Sequence, residues 1–113
     1  LVNRGIIYLN RNDTENAMRD FDRAIQIRPG LAEAHSNRAA GLLYTNDYRG
    51  AIEAANRSLS LTPDEPHKAY FIRAAAHEEL GDTSAAYRDY RRAVELAPEW
   101  SAARAEMARF RVN

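Results

Sequence analysis

The chain repeats, and its prolines mark the period. "AIQIRP" ends at Pro29, "SLSLTP" at Pro63 and "AVELAP" at Pro98, so the marker returns after 34 and then 35 residues. A fixed period of this size is the signature of small units stacked in a row, each unable to bury its apolar face alone. With the chain set in register on those prolines, other positions fall into shared slots. Asp13, Asp47 and Asp82 share one, and Ala17, Ala51 and Ala86 another. Phe21, Ala55 and Tyr90 share a third, and Gly5, Ala39 and Ala74 a fourth. The one extra residue of the second interval falls in the loop "TPDEP", at Pro66.

Each unit reads as two helices. The aspartate slot suits an N-cap, whose carboxylate accepts from the orphan N–H groups of a first turn. The proline slot ends the second helix, because proline lacks the donor and disfavours helix in the residue before it. Between these signals Ala17, Phe21, Ala24 and Ile25 recur at the spacing of one helical face. The predicted pairs are 1–11 with 14–27, 31–45 with 48–61, and 65–80 with 83–96, followed by a last helix over 99–111. Glycine or alanine at a crossing lets two helices approach, and a large residue on the partner fills the gap. Gly5 with Phe21 and Ala74 with Tyr90 are read as such pairs. The middle unit sets Ala39 against Ala55 and lacks its knob, a gap that Tyr48 is expected to fill.

Composition narrows the function classes. The 113 residues suffice for one domain, and formal net charge is zero, with 16 basic and 16 acidic residues. Phosphate neutralisation dominates nucleic-acid affinity, and no net basic face stands out. The densest basic cluster, Arg88-Asp89-Tyr90-Arg91-Arg92, is interrupted by an acid and reads as a solvated helix face. With no cysteine, thiol catalysis, disulfides and cysteine zinc sites are out, and the absence is compatible with either the cytoplasm or the periplasm. No apolar run reaches the ~18 residues of a membrane span. Every basic residue but Lys68 is arginine, which is read as genome bias and points to a bacterial source. The chain starts at Leu1 rather than Met, which suggests a fragment or a processed chain.

These slots resemble the tetratricopeptide repeat (TPR) family. The family's unit carries small residues at three positions, an aromatic, a bulky residue and a closing proline. The first unit supplies Gly5, Tyr8, Ala17, Phe21, Ala24 and Pro29. The second supplies Ala39, Leu42, Ala51, Ala55, Ser58 and Pro63, and departs most from the pattern, at Leu42, Ala55 and Ser58. The third supplies Ala74, His77, Ala86, Tyr90, Ala93 and Pro98. The resemblance implies an all-α, right-handed superhelical solenoid of helix-turn-helix units with about seven helices. The expected units are 1–31, 32–65 and 66–100 in a single domain, with the last helix as a cap. In that cap Ala102, Ala105, Met107 and Ala108 are expected to face inward, and Arg104, Glu106, Arg109 and Arg111 to face water. The N-terminal edge, with Val2, Ile6, Ile7 and Leu9, has no evident cap.

The resemblance further implies a concave surface, lined by the first helix of each unit, that binds a protein or peptide. The lining positions would be Val2, Asn3, Ile6, Leu9 and Asn10, then Glu33, Ser36, Asn37, Ala40, Leu43 and Tyr44. The third unit would add Lys68, Phe71, Ile72, Ala75 and Glu79. The candidate peptide-binding residues are Asn3, Asn37, Leu43, Tyr44, Lys68 and Phe71. An amide such as Asn37 offers donors and an acceptor to an extended backbone, and aromatics supply the area typical of hot spots. The alternatives stay open: Asn37 bonds a neighbouring helix, Tyr44 and Phe71 pack between units, and Val2, Ile6 and Leu9 pack against a missing neighbour. Some relatives clamp the C-terminal carboxylate of a chaperone peptide with two basic residues, two asparagines and an arginine. Here those slots hold Val2, Ile6, Asn37, Lys68 and Ile72, and only Asn37 and Lys68 match, so this clamp is not expected.

Enzyme chemistry finds little support, and no cofactor or metal is expected. His35, His67 and His77 lack metal-ligand spacing and read as structural. Glu78 and Glu79 point different ways around one helix. "GDTSAA", Gly81 to Ala86, reads as a turn and cap. The leading reading is a non-catalytic adaptor that binds a protein or peptide. The second is self-association into a homo-oligomer through the N-terminal edge, and the third a docking fragment of a larger protein. Finally, Arg4, Arg38 and Arg73 share a slot beside the small contact residue, where a buried guanidinium needs a partner. Arg4–Asp20 and Arg73–Asp89 are expected ion pairs. Repeat two has Ala54 in the aspartate slot, so Arg38 is expected to borrow Asp20 or Glu53, or to meet a ligand.

Overall fold

Three aspartates start the second helix of each pair, in the register the repeat predicts. The computed structural model describes residues 1–110. It pairs α1 (Val2–Asn10) with α2 (Thr14–Ile27), α3 (Ala32–Tyr44) with α4 (Tyr48–Ser60), and α5 (Pro66–Glu79) with α6 (Thr83–Leu96). A seventh helix, α7 (Ser101–Ala108), completes an all-α helical repeat. Asp13, Asp47 and Asp82 accept from the backbone N–H groups of Asn16, Gly50 and Ala85 at 3.4, 3.0 and 3.1 Å. The residue before each aspartate sits in left-handed backbone: Asn12, Asn46 and Gly81 have φ of 62°, 65° and 86°. Asparagine and glycine tolerate that turn, which reverses the chain between paired helices.

The one-residue insertion has a local cost. After α2 and α6 the chain leaves through extended-type caps at Arg28 and Ala97, with φ of −137° and −138°. After α4 it passes instead through Leu61 at φ −92° and Thr62 at φ +57°. A β-branched residue in the left-handed region is strained by about 1–2 kcal/mol. Thr62→Asn is therefore expected to stabilise the domain by about 1 kcal/mol, read as a shift in urea midpoint at unchanged m-value.

The core is built from small residues. Among the described residues, every buried hydrophobic side chain is an alanine except Phe21 and Tyr90. A Cβ added at Gly5 would lie 2.5 Å from the Phe21 ring, so that glycine is what lets α1 and α2 close on their knob. Gly41 plays the same part between units, where any side chain would collide with the sulfur of Met18. Around the middle unit, Ala39, Ala54 and Ala55 form one cluster with Ala69 of α5, covered by Leu42, Leu59 and Ile72. Tyr48 does not fill this gap, contrary to expectation. It starts α4, and its hydroxyl turns outward to donate to Asn46 Oδ1 at 3.0 Å. Ser58 takes the slot of Ala24 and Ala93, and its buried hydroxyl donates to the Ala32 carbonyl at 2.9 Å.

Two of the three arginines pair as predicted. Arg4 Nε and Nη2 both reach Asp20 at 2.8 Å, and Arg73 Nε and Nη2 reach Asp89 at 2.7 and 2.8 Å. Arg38 takes neither Asp20 nor Glu53. Its Nε donates to Asp22 at 2.9 Å, on the helix of the preceding unit. Asp20 is already held in a fork by Arg4, and Asp22 lies two residues further along α2. Arg73 repeats this reach with its spare Nη1, which donates to Asn56 at 2.8 Å. Asp22 and Asn56 share a slot, so Arg38 and Arg73 both tie their helix to the unit before. Arg38 thus shares in the frame through its Nε.

The last helix departs furthest from expectation. Ala103 is the wholly buried alanine, while Ala102, Ala105 and Ala108 are exposed. The reason is register: Ala103 follows Pro98 as Ala34 follows Pro29, and as Ala69 follows Pro63 across the insertion. All three alanines are fully buried, so α7 stands where the first helix of a fourth unit would stand. Met107 packs, as expected, against the cluster of Ala74, Ala86 and Tyr90. Arg104 faces water, but Arg109 and Glu106 do not stand free. Arg109 forks onto Glu78 of α5 at 2.7 and 2.8 Å and also bonds Glu106. Arg111 lies outside the described residues.

Candidate functional site

The curvature of the array follows from which helices touch. The first helix of each pair meets the next, α1 with α3 and α3 with α5. No comparable contact joins α2 to α4 or α4 to α6 among the described residues. One layer is drawn together and the other splayed, so α1, α3 and α5 line the inside of the bend. The molecule is elongated, 48 × 25 × 22 Å, and the inner layer runs along it.

The six candidate residues all lie on this inner layer of helices, but in different circumstances. Asn3 on α1 is exposed, and Asn37 on α3 is half-buried. The Asn37 amide makes no hydrogen bond among the described residues, nor is it among buried polar groups in need of one. Its donors and acceptor thus face solvent. Leu43 is half-buried, and Tyr44 is 64% exposed at the end of α3, the largest fraction among the exposed large hydrophobics. Lys68 is exposed and pairs with Glu65 at 3.2 Å. Phe71 is drawn into packing. Its ring stands edge-on to Tyr90 at 5.4 Å and tilted against Trp100 at 4.8 Å. Ser36 and Ile72, also expected on this lining, are likewise engaged: the Ser36 hydroxyl donates to Ala32 O, and Ile72 covers the middle cluster.

Trp100 was not signalled by the repeat slots. It stands at the start of α7, against Phe71 and edge-on to His67 at 5.2 Å. The usable signal was its place, two residues after the closing Pro98, as Leu31 stands after Pro29. Tyr90 continues the cluster to Phe110 at 5.7 Å. The Tyr90 hydroxyl donates to Glu78 Oε1 at 3.2 Å, and burial pushes its phenol upward from the usual value. His35 is structural, its Nε2 lying 2.9 Å from the Pro29 carbonyl oxygen.

Two carboxylates carry the acid dependence of the frame. The hydrogen bonds from Arg4 hold Asp20, and those from Arg109 hold Glu78, below their ordinary values of 3.8 and 4.5. A native value below the unfolded one adds stability above the unfolded value and loses it as pH falls through the native one. The melting temperature is therefore expected to drop as pH is lowered below about 4.5. The double variant Asp20→Asn/Glu78→Gln should start lower and show a shallower drop.

A family model described as Tetratricopeptide repeat matches residues 67–100, and a second of the same description matches residues 1–31. Together they cover more than half the chain, and the unmatched stretch contains the divergent middle unit. Mouse serine/threonine-protein phosphatase 5 is 37% identical over 92 residues, 80% of this chain. That region is 18% of the phosphatase, so this chain spans under a fifth of that relative's length. The curated relatives come from mouse, human, rat, wheat and Dictyostelium and lend no support to a bacterial source. Among solved structures, the Arabidopsis OM64 TPR domain superposes with a TM-score of 0.89 at 25% identity, over 97% of this chain and 90% of that one. The first TPR of Spaghetti (RPAP3), bound to the HSP90 peptide SRMEEVD, gives a TM-score of 0.86 at 24% identity, over 96% and 85%. Among the described residues, no helix is long and apolar enough to cross a membrane.

Proposed function

Since the chain belongs to the tetratricopeptide repeat family, we propose that it is a non-catalytic interaction module that holds an extended peptide segment along α1, α3 and α5. The observation that carries this reading is Asn37, with its amide turned to solvent at the middle of the inner layer. Asn3 is a second open amide one unit away, and Leu43 and Tyr44 offer apolar area at the C-terminal end of α3. The solved domain of Spaghetti holds its peptide on the same fold.

The chemistry of the segment differs from that of a chaperone tail. A chain-end carboxylate requires converging cations. Of the five clamp positions, Val2, Ile6 and Ile72 are aliphatic, and Lys68 is shared with Glu65. Glu33 and Glu79 add negative charge to the same lining. The ligand is an internal segment with apolar side chains rather than an acidic C-terminus.

Asn37→Ala is expected to weaken capture of such a segment about tenfold, the loss of one or two backbone hydrogen bonds. Arg57→Ala, on the outer layer, should leave affinity unchanged. Partners identified by crosslinking in native extract supply the peptide, and calorimetry reads the affinities. Equal effects of both variants would sink the assignment to the inner face.

A further inference from the structure

The outer layer opens where the inner one closes. Among the described residues α4 and α6 do not pack as α3 does on α5, and a cleft of about 260 Å³ lies between them with α5 as its floor. Ile52 and Asn56 of α4 form one wall, and Ala85, Arg88 and Asp89 of α6 the other. Arg73 and His77 of α5 form the floor. All three helices lie inside the repeat and are described along their whole length.

The polar groups divide into those already satisfied and those still open. Arg73 holds Asp89 in its fork at 2.7 and 2.8 Å and donates from Nη1 to Asn56 Oδ1 at 2.8 Å. An arginine only donates, so Asn56 gives it the oxygen and keeps its Nδ2 donors to offer. Arg88 forms no ion pair among the described residues. The His77 ring makes no hydrogen bond among them, nor is it among buried polar groups in need of one, so its nitrogens reach solvent. The same slots one unit earlier carry the opposite charge. Asn56, His77, Arg88 and Asp89 correspond there to Asp22, Leu42, Glu53 and Ala54, and Arg73 to Arg38. The earlier set holds one arginine and two acids, whereas this one holds two arginines, one acid and a histidine. Asp89 neutralises Arg73 and leaves the charge of Arg88 uncompensated in the cleft.

We propose that the cleft between α4 and α6 is a binding site for a phosphoryl group, held by Arg88, His77 and Asn56. Donors come from three helices, and a phosphoryl group brings the further acceptor oxygen and further negative charge that a carboxylate lacks. Ile52 and Ala85 add apolar wall for carbon atoms beside it. The cleft belongs to the outer layer, so it does not depend on the peptide reading of the inner one.

Backbone amide shifts of the intact chain, followed by NMR at neutral pH and constant ionic strength, test this. The probes are inorganic phosphate and N-acetyl-O-phosphoserine amide, with acetate and chloride as controls. Phosphate should give saturable shifts confined to the cleft, with a dissociation constant of about 1 mM. Arg88→Glu/His77→Leu, which gives the cleft the residues of the unit before it, should weaken binding about tenfold or more. Arg88→Gln, a milder change at an exposed position, should weaken it about threefold and serves if the double variant does not fold. Tighter binding of the phosphoserine compound than of phosphate supports the site and assigns it to a phosphorylated side chain of a partner, and the reverse order assigns it to the free ion. Acetate binding as tightly as phosphate would overturn the proposal. So would shifts that never saturate, that chloride reproduces, or that survive both Arg88 variants unchanged.

Discussion

A variant carrying Val2→Lys, Ile6→Asn and Ile72→Arg together is expected to bind the peptide SRMEEVD about 100-fold more tightly than the parent chain. The parent offers that peptide Asn37 and Lys68 only, and Lys68 already pairs with Glu65 at 3.2 Å. Converging charge-assisted bonds are worth about 1.5–3 kcal/mol each, and part of that is spent on ordering three long side chains. A net gain near 2.7 kcal/mol, about 100-fold, is a conservative sum. Ile72 also covers the Ala39–Ala55 cluster, so the triple variant should melt earlier than the parent. Adding Thr62→Asn offsets some of that loss. Calorimetry with the peptide and with its C-terminal amide separates the clamp from general stickiness. Equal affinity for acid and amide would show that the aliphatic positions are not what excludes a chain end.

Tyr90→Ala is expected to destabilise the domain by about 3–5 kcal/mol, the range for a large aromatic removed from a core. Its ring meets Phe71 at 5.4 Å and Phe110 at 5.7 Å, and its hydroxyl bonds Glu78. Glu78 in turn holds Arg109, so one side chain joins α5, α6 and the residue that closes α7. Against a total of about 5–15 kcal/mol, this leaves little at room temperature. Tyr90→Phe keeps the ring and loses the hydroxyl, and should cost about 1 kcal/mol. Urea unfolding followed by Trp100 fluorescence reads both, because Trp100 sits on Phe71 in the same cluster. A Tyr90→Ala variant within 1 kcal/mol of the parent would mean that the cluster repacks around the hole.

The fold was legible because its signals are local and repeated. Asp13, Asp47 and Asp82 each cap a helix, and the residue before each makes the same left-handed turn. A pattern that must serve three times is hard to misread. Where the reading failed, the deciding interaction lay between units. Arg38 reached Asp22 rather than Asp20 because the stagger of adjacent units sets that distance, and a slot alignment within one unit does not contain it. The inward face of α7 was shifted because helical periodicity alone allows Ala102 or Ala103 to face in. Counting from Pro98 selects Ala103. Of the candidate site, Asn3 and Tyr44 stand exposed and Asn37 half-buried, whereas Phe71 packs against Trp100. The slots gave no warning of that aromatic, since no other unit has one at its place.

The nearest-neighbour character of the contacts has a consequence in time. Among the described residues, the main packing joins each helix to the next one or two along the chain, as in α1–α3 and α3–α5. Among the described residues the named hydrogen bonds between helices span about one repeat at most, so the entropic barrier to assembly is small. Folding can start at either aromatic knob and spread through the alanines between them, one helix at a time. A chain emerging from the ribosome can therefore set its first unit, around Phe21, before the residues of the third have been made.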